Sequence, residues 1–154
     1  MKAKVEKLVR EPCEIEITGA TLLTVDEAEQ LLTEKDRARG SWWWLRSPGH
    51  LWNNAANVLQ NGHIYKYGLY ILLDSGGVRP ALKIENLECS NLEIGDKFCF
   101  GNEYFKVISA NLALCNSIVG YTRFDEKSND YAHSEIKAYV DHWFDKMMNR
   151  GADA

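Results

Sequence analysis

Apolar and polar residues alternate with period two in several short runs and follow the 3.6-residue helical period in two longer ones. Glu14-Ile15-Glu16-Ile17-Thr18 alternates and predicts a strand, followed by the short apolar pair Leu22-Leu23. Thr24-Val25-Asp26-Glu27 is a capping box, with hydroxyl and carboxylate three residues apart. It predicts a helix over 25–33 with Ala28, Leu31 and Leu32 inward, then a charged loop over 35–40. The clearest helix is the last. Ile136, Tyr139, Val140, Trp143, Phe144 and Met147 fall at i, i+3, i+4, i+7, i+8 and i+11. Ser134 or a neighbour caps it, and Gly151 is expected beyond its end. Near the N-terminus, Val5, Leu8 and Val9 within the charged segment Lys2 to Arg10 predict a short helix ended by Pro12.

Residues 41–46 predict a strand built around Trp42, Trp43 and Trp44. Side chains alternate along a strand, so Trp42 and Trp44 share one side and Trp43 takes the other. Each indole buries on the order of 150–250 Å², so both faces are expected to be covered, with Arg46 and Arg79 as structural residues at the ends of the block. Ser47-Pro48-Gly49 is turn chemistry. Asn61-Gly62 between the runs 56–59 and 64–67 predicts a hairpin, continued after Gly68 by 69–73 and a turn at 74–77. Val78 to Ile84 reads as one strand, edge or bulged because of Pro80. A polar connector over 85–92 leads to a second hairpin, 96–100 and 103–108, turning at Gly101-Asn102. An apolar strand over 112–119 and a polar loop over 121–130 follow. The tally is α+β: short antiparallel strands in hairpins with two main helices, and little sign of parallel βαβ repetition.

The length of 154 residues fits a single domain, with 1–12 as an N-terminal extension. A net charge of −4 argues against direct nucleic-acid binding, which ordinarily uses a basic face. Cys13, Cys89, Cys99 and Cys115 show no C-x-x-C spacing and read as buried thiols in a reducing compartment. The charged start Met1-Lys2-Ala3-Lys4 does not read as a signal peptide, so none is expected, and no apolar run approaches the ~18 residues of a membrane span. The expected location is the bacterial cytoplasm or a phage virion.

Catalytic patterns are missing. The histidines His50, His63, His133 and His142 lack metal-site spacing, no G-x-S-x-G elbow occurs, and Ser75-Gly76-Gly77 lacks the lysine of a phosphate loop. No enzyme, metal or cofactor is expected. The segment from His50 to Tyr70 has a different character. It gathers Trp52, Tyr65, Tyr67 and Tyr70 with Asn53, Asn54, Asn57, Asn61 and His63. Tyrosine and tryptophan supply stiff contact area with a polar tip, and asparagine supplies adaptable hydrogen bonds. These ten residues are the candidate binding face.

The blocks Trp43 to Gly49 and Gly77 to Leu82, with Ala55, Val58 and Gly62 spaced between them, resemble a bacterial and phage family with a C-type-lectin-like fold. Formylglycine-generating enzymes and the variable proteins of diversity-generating retroelements share that fold. Family members usually begin with the pattern carried here by Gly95-Asp96 through Val107-Ile108, and end on the arginine block. The order in this chain therefore resembles a circular permutant, with 85–92 joining the family's usual termini. The resemblance implies a non-enzymatic binding module whose partner is a protein, of host or phage, or a cell-surface glycan. A small phage-encoded inhibitor of a host defence complex, of anti-CRISPR type, is the alternative. The calcium-lectin motif pair and the copper-binding cysteine pair of the wider fold have no counterpart here.

Overall fold

A computed structural model describes residues 2–8 and 12–152. The chain forms two compact units where one domain is expected from its length. The first comprises Met1–Thr21, Ala81–Ser117 and Asp141–Ala154, and the second Leu22–Pro80 and Ile118–Val140.

The first unit is a closed antiparallel barrel of six strands. In chain order they are β1 (Lys2–Lys7), β2 (Pro12–Thr21), β7 (Ala81–Glu85), β8 (Lys97–Phe100), β9 (Glu103–Ser109) and β10 (Leu112–Cys115). The closed order is β1-β2-β7-β10-β9-β8. Inward positions alternate as the pleat requires: Ala3 and Val5 on β1, Ile15 and Ile17 on β2, Leu82 and Ile84 on either side of Lys83, Phe98 and Phe100 on β8. The Phe98 and Phe105 rings stack 5.7 Å apart. The Trp143 ring lies 6.2 Å from Phe105, and Met147 packs against Gly101. The turn at Gly101-Asn102 has φ of 58° and 73°, the left-handed pair that a two-residue hairpin needs.

The second unit is a five-stranded sheet in the order β11-β6-β3-β4-β5. Its strands are β3 (Trp43–Pro48), β4 (Asn54–Val58), β5 (Ile64–Tyr70), β6 (Gly77–Val78) and β11 (Gly120–Tyr121). The predicted capping box starts α1 (Val25–Leu31), with Glu27 N–H on Thr24 Oγ1 at 3.1 Å and Thr24 N–H on Glu27 Oε1 at 2.9 Å. A second box, Thr33 with Asp36, makes a helix α2 (Glu34–Arg37) inside the expected charged loop. The last helix, α3 (Glu135–Ala152), starts in this unit. Ser134 Oγ caps it by accepting Lys137 N–H at 3.1 Å.

Several expectations are corrected. Lys2 to Lys7 is a strand, because Ala3 and Val5 alternate with charged residues and both find partner strands. Leu8, which suggested a helical face, is exposed, and Val9 and Arg10 lie outside the described residues. Within the supposed N-terminal extension, Lys2–Lys7 is thus a barrel strand. Val78 to Ile84 is divided: Pro80 ends one strand, and β6 and β7 serve different units. The connector 85–92 contains a 3₁₀ turn, Leu87–Cys89, after a left-handed Asn86. Ser47 and Pro48 finish β3, so the turn falls later, at 50–53. Gly151 lies inside α3, and Tyr139 is exposed.

Gly76 shows how closely the tryptophans are fitted. A methyl group there would run into the Trp44 indole, with Trp42 also close by. Gly76→Ala is expected to destabilise the fold by about 2–3 kcal/mol through overpacking, read as a lower urea midpoint. Gly40→Ala, at φ 76° in open space, should cost only about 1 kcal/mol. Equal effects at the two sites would contradict this packing.

Candidate functional site

The candidate face hangs on the tryptophan strand. Trp43 and Trp44 are both fully buried, on opposite sides of β3. Trp43 Nε1 donates to Arg37 O at 3.0 Å. The buried Arg79 guanidinium sits 5.0 Å from the Trp43 ring centroid, and its Nη1 donates to Asp36 O at 2.8 Å. On the other side, Trp44 Nε1 donates to Thr122 O at 2.9 Å, and its ring meets Trp42 and Phe124 edge-on at 4.7 and 5.6 Å. Arg46 Nε donates to Leu22 O at 3.0 Å. Arg37 was not singled out in the sequence. Its guanidinium reaches Gly62 O, Ala28 O and Leu32 O at 2.8, 3.2 and 2.9 Å, tying both short helices to the hairpin tip.

Strand register decides which side chains can face a partner. Trp43 pairs with Val58 and Val58 with Ile64, whereas Trp44 pairs with Asn57 and Asn57 with Tyr65. Directly paired residues share a face. Ile64 and Lys66 therefore face α1, where Lys66 Nζ meets Glu29 at 2.7 Å. Tyr65 and Tyr67 take the other side, with ring centroids 6.2 Å apart, and His50 stacks on Tyr67 at 5.0 Å. A bulge lies between Ala55 and Asn57, where Gly68 adopts φ 89° with its α-carbon against the Ala55 backbone. Asn54 Nδ2 steadies it by donating to Gly68 O at 2.9 Å.

The loop 50–53 is pinned on several sides. His50 N–H donates to Tyr67 O at 2.7 Å, Asn54 N–H to Leu51 O at 3.0 Å, and Ile71 N–H to Asn53 O at 2.9 Å. Asn129 Nδ2 donates to both Leu51 O and Asn54 O, at 3.1 and 3.0 Å. From this tied loop Trp52 projects with 71 % of its surface open.

Of the ten candidate residues, His50, Trp52, Asn61, His63, Tyr67 and Tyr70 are exposed, and Asn53, Asn54 and Tyr65 are half-buried. Asn57 is fully buried and so cannot be a surface contact; neither its Oδ1 nor its Nδ2 has a hydrogen-bond partner. Asn61 and His63 shape the hairpin turn, where Asn61 Oδ1 accepts His63 N–H at 3.1 Å. That turn is at the far end of β4 and β5 from Asn54 and Tyr70, so Asn61 and His63 do not join Trp52. Leu51, Leu72 and Leu73 do join it, and all three are exposed. Their signal in the sequence was weak: apolar residues flanking a turn.

The segment behind these loops is electrostatically settled. Desolvation pushes the Asp125 carboxyl up, but N–H donors from Lys127, Ser128, Glu135 and Glu126 outweigh it and hold the group below the ordinary carboxylate value. His133, 2.7 Å away, lowers Asp130 in the same way. Among the described residues no three His, Cys, Asp or Glu side chains gather as a metal site, and no helix of the structure is long and apolar enough to cross a membrane.

The second unit is thus a five-stranded sheet that carries two loops tied by hydrogen bonds. Residues 13–86 match the model of a domain of unknown function (DUF6273), just under half of the chain. That stretch runs from β2 through the tryptophan sheet to the end of β7. No curated protein matches, and no solved structure matches.

Two measurements follow. Asn57→Leu removes two unpaired buried polar atoms at similar volume, and it is expected to leave stability unchanged or raise it by about 1 kcal/mol in urea unfolding. A loss above about 2 kcal/mol would show that the amide is partnered in solution. Because Asp125 and Asp130 have lowered folded values, their contribution is present above the ordinary carboxylate pKa and fades as pH falls through the lowered one. The variant Asp125→Asn should flatten the acid limb of the stability–pH curve; an unchanged limb would remove Asp125 from that account.

Proposed function

We propose that the second unit is a non-enzymatic recognition module that binds a protein or cell-surface glycan through residues His50, Trp52, Tyr67 and Tyr70. The observation that carries this reading is Trp52, a large indole held out on a loop whose backbone is tied at Leu51, Asn53 and Asn54. Leaving such a side chain in water is unfavourable. Aromatic anchors on pre-ordered loops lose little entropy on binding, and they dominate interface energetics. Asn53 and Asn54 serve here as supports of the loop and the bulge. The C-type-lectin-like arrangement, the permuted order and a phage or prophage setting belong to the same reading, supported by the blocks Trp43 to Gly49 and Gly77 to Leu82 and by the order of motifs along the chain. In this reading the framework tryptophans position the face and do not touch the partner.

The test screens the purified chain on a glycan array and against a random-peptide display library. Joint substitution of Trp52, Tyr67 and Tyr70 by alanine should abolish the binders while leaving the circular dichroism spectrum unchanged. Binders that survive the triple variant at full strength would place recognition elsewhere.

A further inference from the structure

Two neighbouring loops of the second unit each expose an apolar pair. Leu51 and Trp52 are 46 % and 71 % open, and Leu72 and Leu73 are 38 % and 39 % open. The hydrogen bond from Ile71 N–H to Asn53 O fixes the loops side by side. Together these four side chains leave on the order of 400 Å² of mostly apolar surface in water. That is within the ~300–600 Å² of the largest patch on a typical monomer, where such patches commonly mark interaction sites. It is about half of the ~800 Å² that each side of a stable interface contributes, and the polar rim supplies the rest.

The surroundings say what covers it. The segment 124–129 runs from one loop to the other: Phe124 N–H and Asp125 N–H both reach Ile71 O, at 2.9 and 3.4 Å, and Asn129 Nδ2 reaches Leu51 O. Its charged residues, with Asp74 directly after Leu73, form the rim. Asp74, Glu126 and Asp130 are exposed acids; Asp125 is bound to backbone N–H groups, and Asp130 also holds His133. The bases nearby are Lys127 and Arg123, and Arg123 is engaged with Glu135 at 2.9 Å. An apolar centre with an acidic rim is complementary to an apolar centre with a basic rim. A second copy would oppose acid to acid, and an anionic membrane would be repelled. The aliphatic side chains of Leu51, Leu72 and Leu73 offer no hydrogen bond to a sugar hydroxyl.

We infer that the paired loops Leu51-Trp52 and Leu72-Leu73 dock a protein partner whose contact surface sets aliphatic or aromatic side chains among lysines and arginines. This rests on the recognition reading above and narrows its partner to one chemistry.

The experiment uses the intact chain, a random-peptide display library, a glycan array and phosphatidylcholine vesicles. Selected peptides should combine Leu, Phe or Trp with Lys or Arg. Trp52→Ala and Leu72→Ser, both at exposed positions, should each weaken the selected peptides by ~10–30-fold, while Trp52→Phe retains most of the affinity. Asp74→Asn combined with Glu126→Gln should weaken binding several-fold and remove most of its salt dependence. Peptides that need Trp52 but show no basic enrichment would overturn the inference and leave the recognition face standing. Trp52-dependent binding to the glycan array would do the same. Trp52-dependent sedimentation with the vesicles would overturn both readings, as would a complete lack of Trp52-dependent binders.

Discussion

Two adjacent tryptophans fully buried on opposite faces of one strand organise the second unit. Burying Trp43 and Trp44 removes a large apolar area from water, but each indole carries an N–H that must find an acceptor. Arg37 O and Thr122 O fill those roles. The acceptors come from segments far apart in sequence, so satisfying both indoles fixes α2 over one face of β3 and the 122–124 segment over the other. Arg79 completes the Trp43 side, where a buried guanidinium is tolerable because it rests on the ring and donates to Asp36 O. β3 is the middle strand of the sheet, so an error in its seating would propagate to both edges.

Features set by neighbours in sequence were readable from the residues. The Thr24–Glu27 capping box, the split of the tryptophans between two faces and the Asn61-Gly62 turn are all local. Each depends on residues within a few positions of one another. The barrel was not readable, because its six strands come from segments separated by most of the second unit, and closure depends on pairings such as β2 with β7. The helix expected at the N-terminus is a strand for a related reason. Val5, Leu8 and Val9 fit a helical spacing, but the competing alternation of Ala3 and Val5 prevails once β2 and β8 lie on either side.

The candidate face shows the same division. Composition alone singled out residues 50–70, and most of them are at least partly exposed. Asn57 departs from that pattern because the cross-strand register places it on the Trp44 side of the sheet, where it is fully buried. Leu72 and Leu73 depart in the opposite direction. In sequence they continue an apolar run, yet β5 ends at Tyr70 and a turn exposes them. Polarity in a sequence indicates where a residue would be best placed; a covered face or an early strand end overrides it.

A face on loops ordinarily loses affinity to the cost of ordering them. Here that ordering is already in place before any partner arrives. The bulge at Gly68 turns the Tyr67 and Gly68 carbonyls toward His50 N–H and the Asn54 amide, and Asn129 ties the same loop from the opposite side. These bonds all trace back to the sheet that the tryptophans seat, through β4 and β5 on one side and through the 122–124 segment on the other. The buried indoles of Trp43 and Trp44 and the exposed indole of Trp52 are therefore two ends of one arrangement. The first pair spends its burial on rigidity, and that rigidity is what makes an exposed tryptophan useful as an anchor.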